Sequence, residues 1–178
     1  MPRVHVVEKA RKARPEAGIE VGDRYFYWTK RSGPYTKGRT YYSKTYPKPS
    51  QLTGSAFLQS VYALQEEMSA YSPDSDLESV RDDWAQRIRE IGEECQEKLD
   101  NMPEGLQQGS TGELLQERID AMENWASEIE GVNIPDRKDY IEAEDDGEDE
   151  DDTEDAENRY QSALDEAYSE ITGADPGV

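Results

Sequence analysis

The sequence predicts an α+β protein: a small N-terminal antiparallel β-sheet of two or three strands, then an antiparallel helical hairpin or bundle, then an acidic, partly disordered tail with a terminal helix. Three observations predict it. Aromatic and threonine residues alternate between Arg24 and Tyr46, apolar residues recur every three or four positions from Phe57 to Ile129, and the charge divides along the same line. Residues 1–50 hold 12 of the 20 Lys and Arg but 4 of the 41 Asp and Glu, a net of about +8. Residues 51–178 hold the other 8 basic and 37 acidic residues, about −29, within a total of −21. The polarity separates a basic aromatic head (1–50), an amphipathic helical body (51–131) and an acidic linker with a C-terminal helix (132–178). Their surfaces suit different partners.

With 34% hydrophobic and 34% charged residues, any core is thin and comes mostly from amphipathic helices. The single cysteine, Cys95, excludes an internal disulfide and reads as a small buried apolar residue, since Glu93, Glu94 and Glu97 around it disfavour a thiolate. One His and one Cys make no zinc cluster, and His5 reads as a strand residue. Met1-Pro2-Arg3 leads into no apolar h-region, and no apolar run approaches a membrane span. The expectation is a cytoplasmic protein with no membrane partner and no cofactor.

In the head, Val4-His5-Val6-Val7 starts like a strand and passes into a basic arm bearing Lys9, Arg11, Lys12 and Arg14, expected to be flexible. Gly18 and Val21-Gly22-Asp23 mark a turn. Alternation from Tyr25 puts Tyr25, Tyr27 and Thr29 on one face and Phe26, Trp28 and Lys30 on the other. Ser32-Gly33-Pro34 and Lys37-Gly38 offer turns before Arg39–Thr45, and Pro47 and Pro49 stop the sheet. A sheet of Tyr, Trp, Lys and Arg is what nucleic-acid binding asks for: cations neutralise phosphates, and aromatic faces stack on bases. The candidate contacts to DNA or RNA are Arg24, Trp28, Lys30, Arg31, Lys37, Arg39 and Lys44. Two other uses stay open, an aromatic minicore against the next helix and a docking surface for the acidic body.

In the body, Ser50, Thr53 or Ser55 can cap a helix of about 16 residues whose apolar stripe is Phe57, Val61, Leu64, Met68 and Tyr71, ended by Ser72-Pro73. A capping box at Ser75-Asp76-Leu77-Glu78 opens a longer stripe of Leu77, Val80, Trp84, Ile88, Ile91, Cys95, Leu99 and Met102, broken by Pro103 and Gly105. Another box, Ser110-Thr111-Gly112-Glu113, opens the stripe Leu115, Ile119, Met122, Ala126 and Ile129, with Trp125 beside it and Gly131 as the C′ residue. Short connections favour an intramolecular hairpin, and the same spacing leaves a homodimer open.

Between Glu142 and Glu157 lie 12 acidic residues and no basic one, a block expected to be disordered or extended. Asp145-Asp146-Gly147-Glu148-Asp149-Glu150-Asp151-Asp152 does not follow calcium-loop order. Its carboxylates Asp145, Asp146, Glu148, Asp149, Glu150, Asp151 and Asp152 are the candidate surface for a basic host protein. A last stripe, Ala156, Tyr160, Ala163, Leu164, Ala167, Tyr168 and Ile171, makes a helix that docks on the bundle or waits for a partner groove.

Two stretches carry a resemblance. Arg24-Tyr25-Phe26-Tyr27-Trp28 through Ser43-Lys44-Thr45-Tyr46-Pro47-Lys48-Pro49-Ser50-Gln51-Leu52-Thr53, and Asn101-Met102-Pro103-Glu104-Gly105-Leu106-Gln107 through Leu115-Gln116-Glu117-Arg118-Ile119-Asp120, resemble an uncharacterised family of small bacteriophage and prophage accessory proteins. The resemblance covers roughly residues 3–135 and implies an accessory protein in the host cytoplasm. The ribbon Gly38-Arg39-Thr40-Tyr41-Tyr42-Ser43-Lys44-Thr45 followed by a helix is similar to the arm-site DNA-binding sheet of phage integrases, which implies DNA contact. No nucleophile elbow, P-loop, dinucleotide fingerprint or metal-ligand cluster occurs. The expectation is therefore a non-enzyme that binds nucleic acid through its head, with the acidic body modulating that binding or engaging a host protein. Two alternatives stand beside it: an acidic nucleic-acid mimic that inhibits a host defence or DNA-processing enzyme, and an assembly factor acting through its helices.

Overall fold

His5–Val7 (β1), Tyr25–Lys30 (β2) and Arg39–Ser43 (β3) form a three-stranded antiparallel sheet in the order β1-β2-β3. The structure is a computed structural model and describes residues 2–31, 37–141 and 150–178. The expected turn at Ser32-Gly33-Pro34 lies outside them. Register pairs His5 with Tyr27 and Val7 with Tyr25, then Tyr27 with Tyr42, Trp28 with Tyr41 and Lys30 with Arg39. A side-chain period of two therefore sorts Tyr25, Tyr27, Thr29, Thr40 and Tyr42 onto one face, and Phe26, Trp28, Lys30, Arg39 and Tyr41 onto the other.

The chain falls into two units, Met1–Glu66 and Glu67–Val178. The division expected at residue 50 lies inside the first, because the sheet needs the following helices to cover Trp28. Pro49–Leu52 (α1) brings the Gln51 carbonyl to 3.1 Å from the Trp28 indole N–H, which donates to it. Ala56–Met68 (α2) buries Phe57, Val61, Leu64 and Met68. Of the three proposed caps only Ser55 caps α2, its Oγ accepting from the Leu58 N–H at 3.4 Å. Ser50 instead donates its N–H and hydroxyl to the two Glu66 oxygens, at 3.0 and 2.9 Å, tying α1 to α2.

The basic arm, expected to be flexible, is folded. Residues 8–24 fold into a hydrogen-bonded loop in which Ala10 N–H donates to Asp23 O at 2.8 Å, and Arg14 N–H to Ile19 O at 2.8 Å. A 3₁₀ turn at Pro15–Ala17 closes on Gly18, whose φ of 64° suits glycine. Ala10 and Ile19 are buried, and isolated apolar residues inside a basic run give no periodic signal of that burial.

In the second unit Leu77–Asp100 (α3) and Ser110–Glu130 (α5) pair antiparallel through a corner made by Glu104–Gln107 (α4). Arg81 Nη1 donates to Val132 O at 2.9 Å near one end, and Gln107 Nε2 to Leu99 O at 3.1 Å at the other. The seam buries Trp84, Ile88, Cys95, Leu115, Met122, Trp125 and Ile129. Val80, Ile91, Leu99, Met102 and Ile119 flank it half-buried. Neither expected capping box forms. Asp74, not Ser75, takes the Asp76 N–H at 3.0 Å ahead of α3, and Gly109 is the N-cap of α5. Gly112 lies within α5 so close to α4 that a Cβ there would meet Gln107 O at 1.8 Å. Gly131 caps α5 with φ −69°, a right-handed rather than a left-handed end.

Lys138–Ile141 (α6) and Glu150–Gly173 (α7) complete the unit. From Glu150 onward the acidic block is helical, where disordered or extended chain was expected. α7 packs against α3, α5 and α6, burying Ala156, Tyr160, Leu164, Ala167 and Ile171.

The first stripe was expected to reach Tyr71 on a helix, but α2 stops at Met68. Tyr71 turns to pack edge-on against Trp84, ring centroids 5.4 Å apart, and donates its hydroxyl to Asp74 at 2.5 Å. Burial, then that bond, push its pKa up to about 12 from the ordinary 10.0. The folded state holds the neutral phenol, so the stability this gives is complete below pH 10.0 and disappears as pH rises through about 12. Tyr71→Phe is expected to cost about 1 kcal/mol at neutral pH, and its gap to the parent protein narrows across that alkaline window. Urea unfolding at stepped pH checks this, and a gap constant with pH would refute it.

Candidate nucleic-acid interface

The seven residues singled out in the head divide into three sets. Trp28 is 3% exposed, with its ring stacked on Tyr41 (centroids 5.8 Å apart, planes at 16°) and its N–H bonded to Gln51. A ring so enclosed has no free face for a base, so Trp28 leaves the contact set and acts by supporting Tyr41. Arg24 and Lys44 are ion-paired within the head. Arg24 lies 3.4 Å from Glu8 and its guanidinium 5.5 Å from the Phe26 ring. Lys44 lies 2.8 Å from Asp23, a bond that lowers the Asp23 pKa and raises that of Lys44.

Lys30, Arg31, Lys37 and Arg39 form the third set. Register makes Lys30 and Arg39 direct cross-strand partners, and Arg31 and Lys37 follow and precede them along the chain at the same end of β2 and β3. Among the described residues none of the four has a carboxylate within ion-pair distance. Like charges directly opposite on a sheet are unfavourable. Here both lie against one ring: Lys30 Nζ is 5.4 Å and Arg39 Cζ 5.5 Å from the Tyr41 centroid, an arrangement in which the ring offsets part of the repulsion. Burial holds the Lys30 pKa below its ordinary value. The cluster is thus a positive patch whose charges are not neutralised from within the described part of the chain.

The second unit treats its cations differently. Arg87 pairs with Glu67 at 2.5 Å, Arg89 makes a two-pronged pair with Glu130, and Arg137 pairs with Glu157 at 2.9 Å. Those guanidinium groups are engaged in holding helices together.

The opposite face of the sheet is aromatic. His5 stacks on Tyr27 (4.9 Å, 13°), Tyr42 lies 6.5 Å from Tyr27 and 6.1 Å from Tyr25, and the Arg14 guanidinium sits 3.7 Å above Tyr42. Arg14 reaches that ring because the loop of residues 8–24 is folded. A cleft of about 740 Å³ opens at the edge of this face, lined by Arg3, Lys30, Arg31, Tyr27, Leu58 and Tyr62 among others. Arg3, Leu58 and Tyr62 were not legible as site residues. The one available signal was that Leu58 and Tyr62, four apart, lie off the buried stripe of α2.

Of the acidic candidates, Asp145, Asp146, Glu148 and Asp149 lie outside the described residues. Glu150, Asp151 and Asp152 are described only as backbone in the first turn of α7. Among the described residues no group of three or more His, Cys, Asp and Glu is placed to hold a metal ion, and no helix is long and apolar enough to cross a membrane. No family model matches the chain, and no match is found among curated proteins or solved structures.

Proposed function

We propose that this protein binds nucleic acid through the β2–β3 end of its sheet. The observation that carries the reading is the Lys30–Arg31–Lys37–Arg39 cluster, four cations gathered by strand register with no ion-pair partner among the described residues. Phosphate oxygens supply the missing negative charge, and their counterions are released to solution. Lys30 and Arg39, held on Tyr41, are the fixed contacts; Arg31 and Lys37 extend the patch. The acidic remainder of the chain repels the same polyanion, which favours modest affinity and rapid release. A phage accessory role in a host cytoplasm, as the motif resemblance implies, agrees with this reading and is not required by it.

The test is a titration of the full chain against duplex DNA, single-stranded DNA and RNA at about 50 and 200 mM salt. Four phosphate contacts give log–log salt slopes of about −3.6 for a duplex and about −2.8 for a single strand. Binding with slopes of that order supports the proposal. No binding to any of the three at about 50 mM, where phosphate contacts are still strong, removes it.

A further inference from the structure

We propose that the cleft between the β1–β2 edge of the sheet and the α1–α2 corner is a nucleotide pocket, taking one unpaired nucleotide with its base against Tyr62 and Tyr27 and its phosphate against Arg3 and Arg31. The cleft lies wholly within the first unit. It is formed because the end of β2 abuts the corner: an ideal Cβ on Gly54 would lie 3.7 Å from Arg31 O. Its volume of about 740 Å³ falls in the range of small-molecule sites. Arg3, Lys30 and Arg31 line it and, among the described residues, no carboxylate does, so the ligand is an anion.

The rest of the lining decides what kind of anion. Leu52, Leu58, Tyr62 and Tyr27 contribute apolar and aromatic surface, which inorganic phosphate would not use. Leu58 and Tyr62 lie one turn apart on α2 and are only half-buried, while the buried stripe of that helix runs through Phe57, Val61 and Leu64. The fold therefore leaves a second, partly open apolar strip facing a cationic rim. Thr29 and Thr53 also line the cleft and add hydroxyls. A planar heterocycle joined to a phosphate matches both halves, since aromatic rings stack on any base and cations bind the phosphate. A paired base offers no free face, so the nucleotide comes from a single strand or is free in solution. The single-strand source rests on the nucleic-acid reading above; the free source does not.

The experiment separates them. The full chain and its Tyr62→Ala, Tyr62→Phe and Arg3→Gln variants are titrated with oligo-deoxythymidine of about 12 nucleotides, with its duplex, and with thymidine 5′-monophosphate. Tyr62→Ala is expected to weaken single-strand binding about tenfold and duplex binding less than about twofold, with Tyr62→Phe close to the parent. Arg3→Gln, at an exposed position outside the strands, lowers the single-strand salt slope by about 0.7 and serves should Tyr62→Ala alter the far-ultraviolet spectrum. Monophosphate binding lost in Tyr62→Ala, with no polymer bound, supports the pocket with a free nucleotide and removes the nucleic-acid reading. Single-strand and duplex binding that respond equally to both variants, or to neither, overturn the pocket and leave the nucleic-acid reading standing. No binding of any probe removes both.

Discussion

Leu164→Ala is expected to lower the unfolding free energy of the Glu67–Val178 unit by about 3 kcal/mol, within the 2–5 kcal/mol that truncating a buried leucine costs. Leu164 is 0% exposed at the middle of α7, one turn from buried Tyr160 and two turns from Ile171, also 0% exposed. Removing it forfeits the transfer free energy of its methyl groups and leaves a cavity that rigid neighbours fill only partly. A unit of this size has a stability of roughly 5–15 kcal/mol, so the loss is a large share. Asp165→Ala, one residue on at an exposed position, should stay within about 0.5 kcal/mol. Urea unfolding of the full chain followed by circular dichroism measures both. Equal midpoints for the two variants would show α7 to be an appendage that contributes nothing to the bundle.

That prediction turns on a choice the sequence left open. The spacing of Tyr160, Leu164, Ala167 and Ile171 announced an amphipathic helix, and periodicity is a local property that survives without tertiary information. Whether the helix docks is not local. Docking shows only when Tyr168 is seen donating its hydroxyl to Met68 O at 2.6 Å, a hundred residues away. The same divide runs through the head. Alternation assigned Trp28 and Lys30 to one face, and register confirmed it, yet which face the helices cover depends on where Gln51 arrives. So Trp28 read as a nucleic-acid contact and is core. The helix caps failed for a related reason. Ser75 and Ser110 stand in good capping-box patterns, but such patterns are worth only about 1 kcal/mol. The approach of Gly112 to Gln107, and the capture of the Asp76 N–H by Asp74, outweigh that.

Arg39→Glu is expected to make the first unit more stable and nucleic-acid binding at least about tenfold weaker. In the parent protein Lys30 and Arg39 face each other across β2 and β3, and two like charges in that position oppose folding. A glutamate at 39 converts the pair to opposite charges, worth about 0.2–1 kcal/mol, and raises the Lys30 pKa that burial now lowers. On the proposed reading Lys30 adds its phosphate contact only while protonated, so the parent's affinity is expected to weaken with rising pH before an ordinary lysine would titrate at 10.5. In the variant that fall moves to higher pH, from a weaker starting affinity. For binding, a phosphate contact is removed and a repulsive carboxylate added, so the salt slope drops by about 1. Adding Lys30→Glu restores a like-charge pair of the other sign, and the stability gained is lost while binding weakens further. Thermal unfolding and salt titration of the parent, the single and the double variant measure the two properties side by side. A cluster kept for folding would make stability and binding fall together in the single variant. A cluster kept for phosphate makes them move in opposite directions, because the repulsion that costs the free protein stability is what a bound anion relieves.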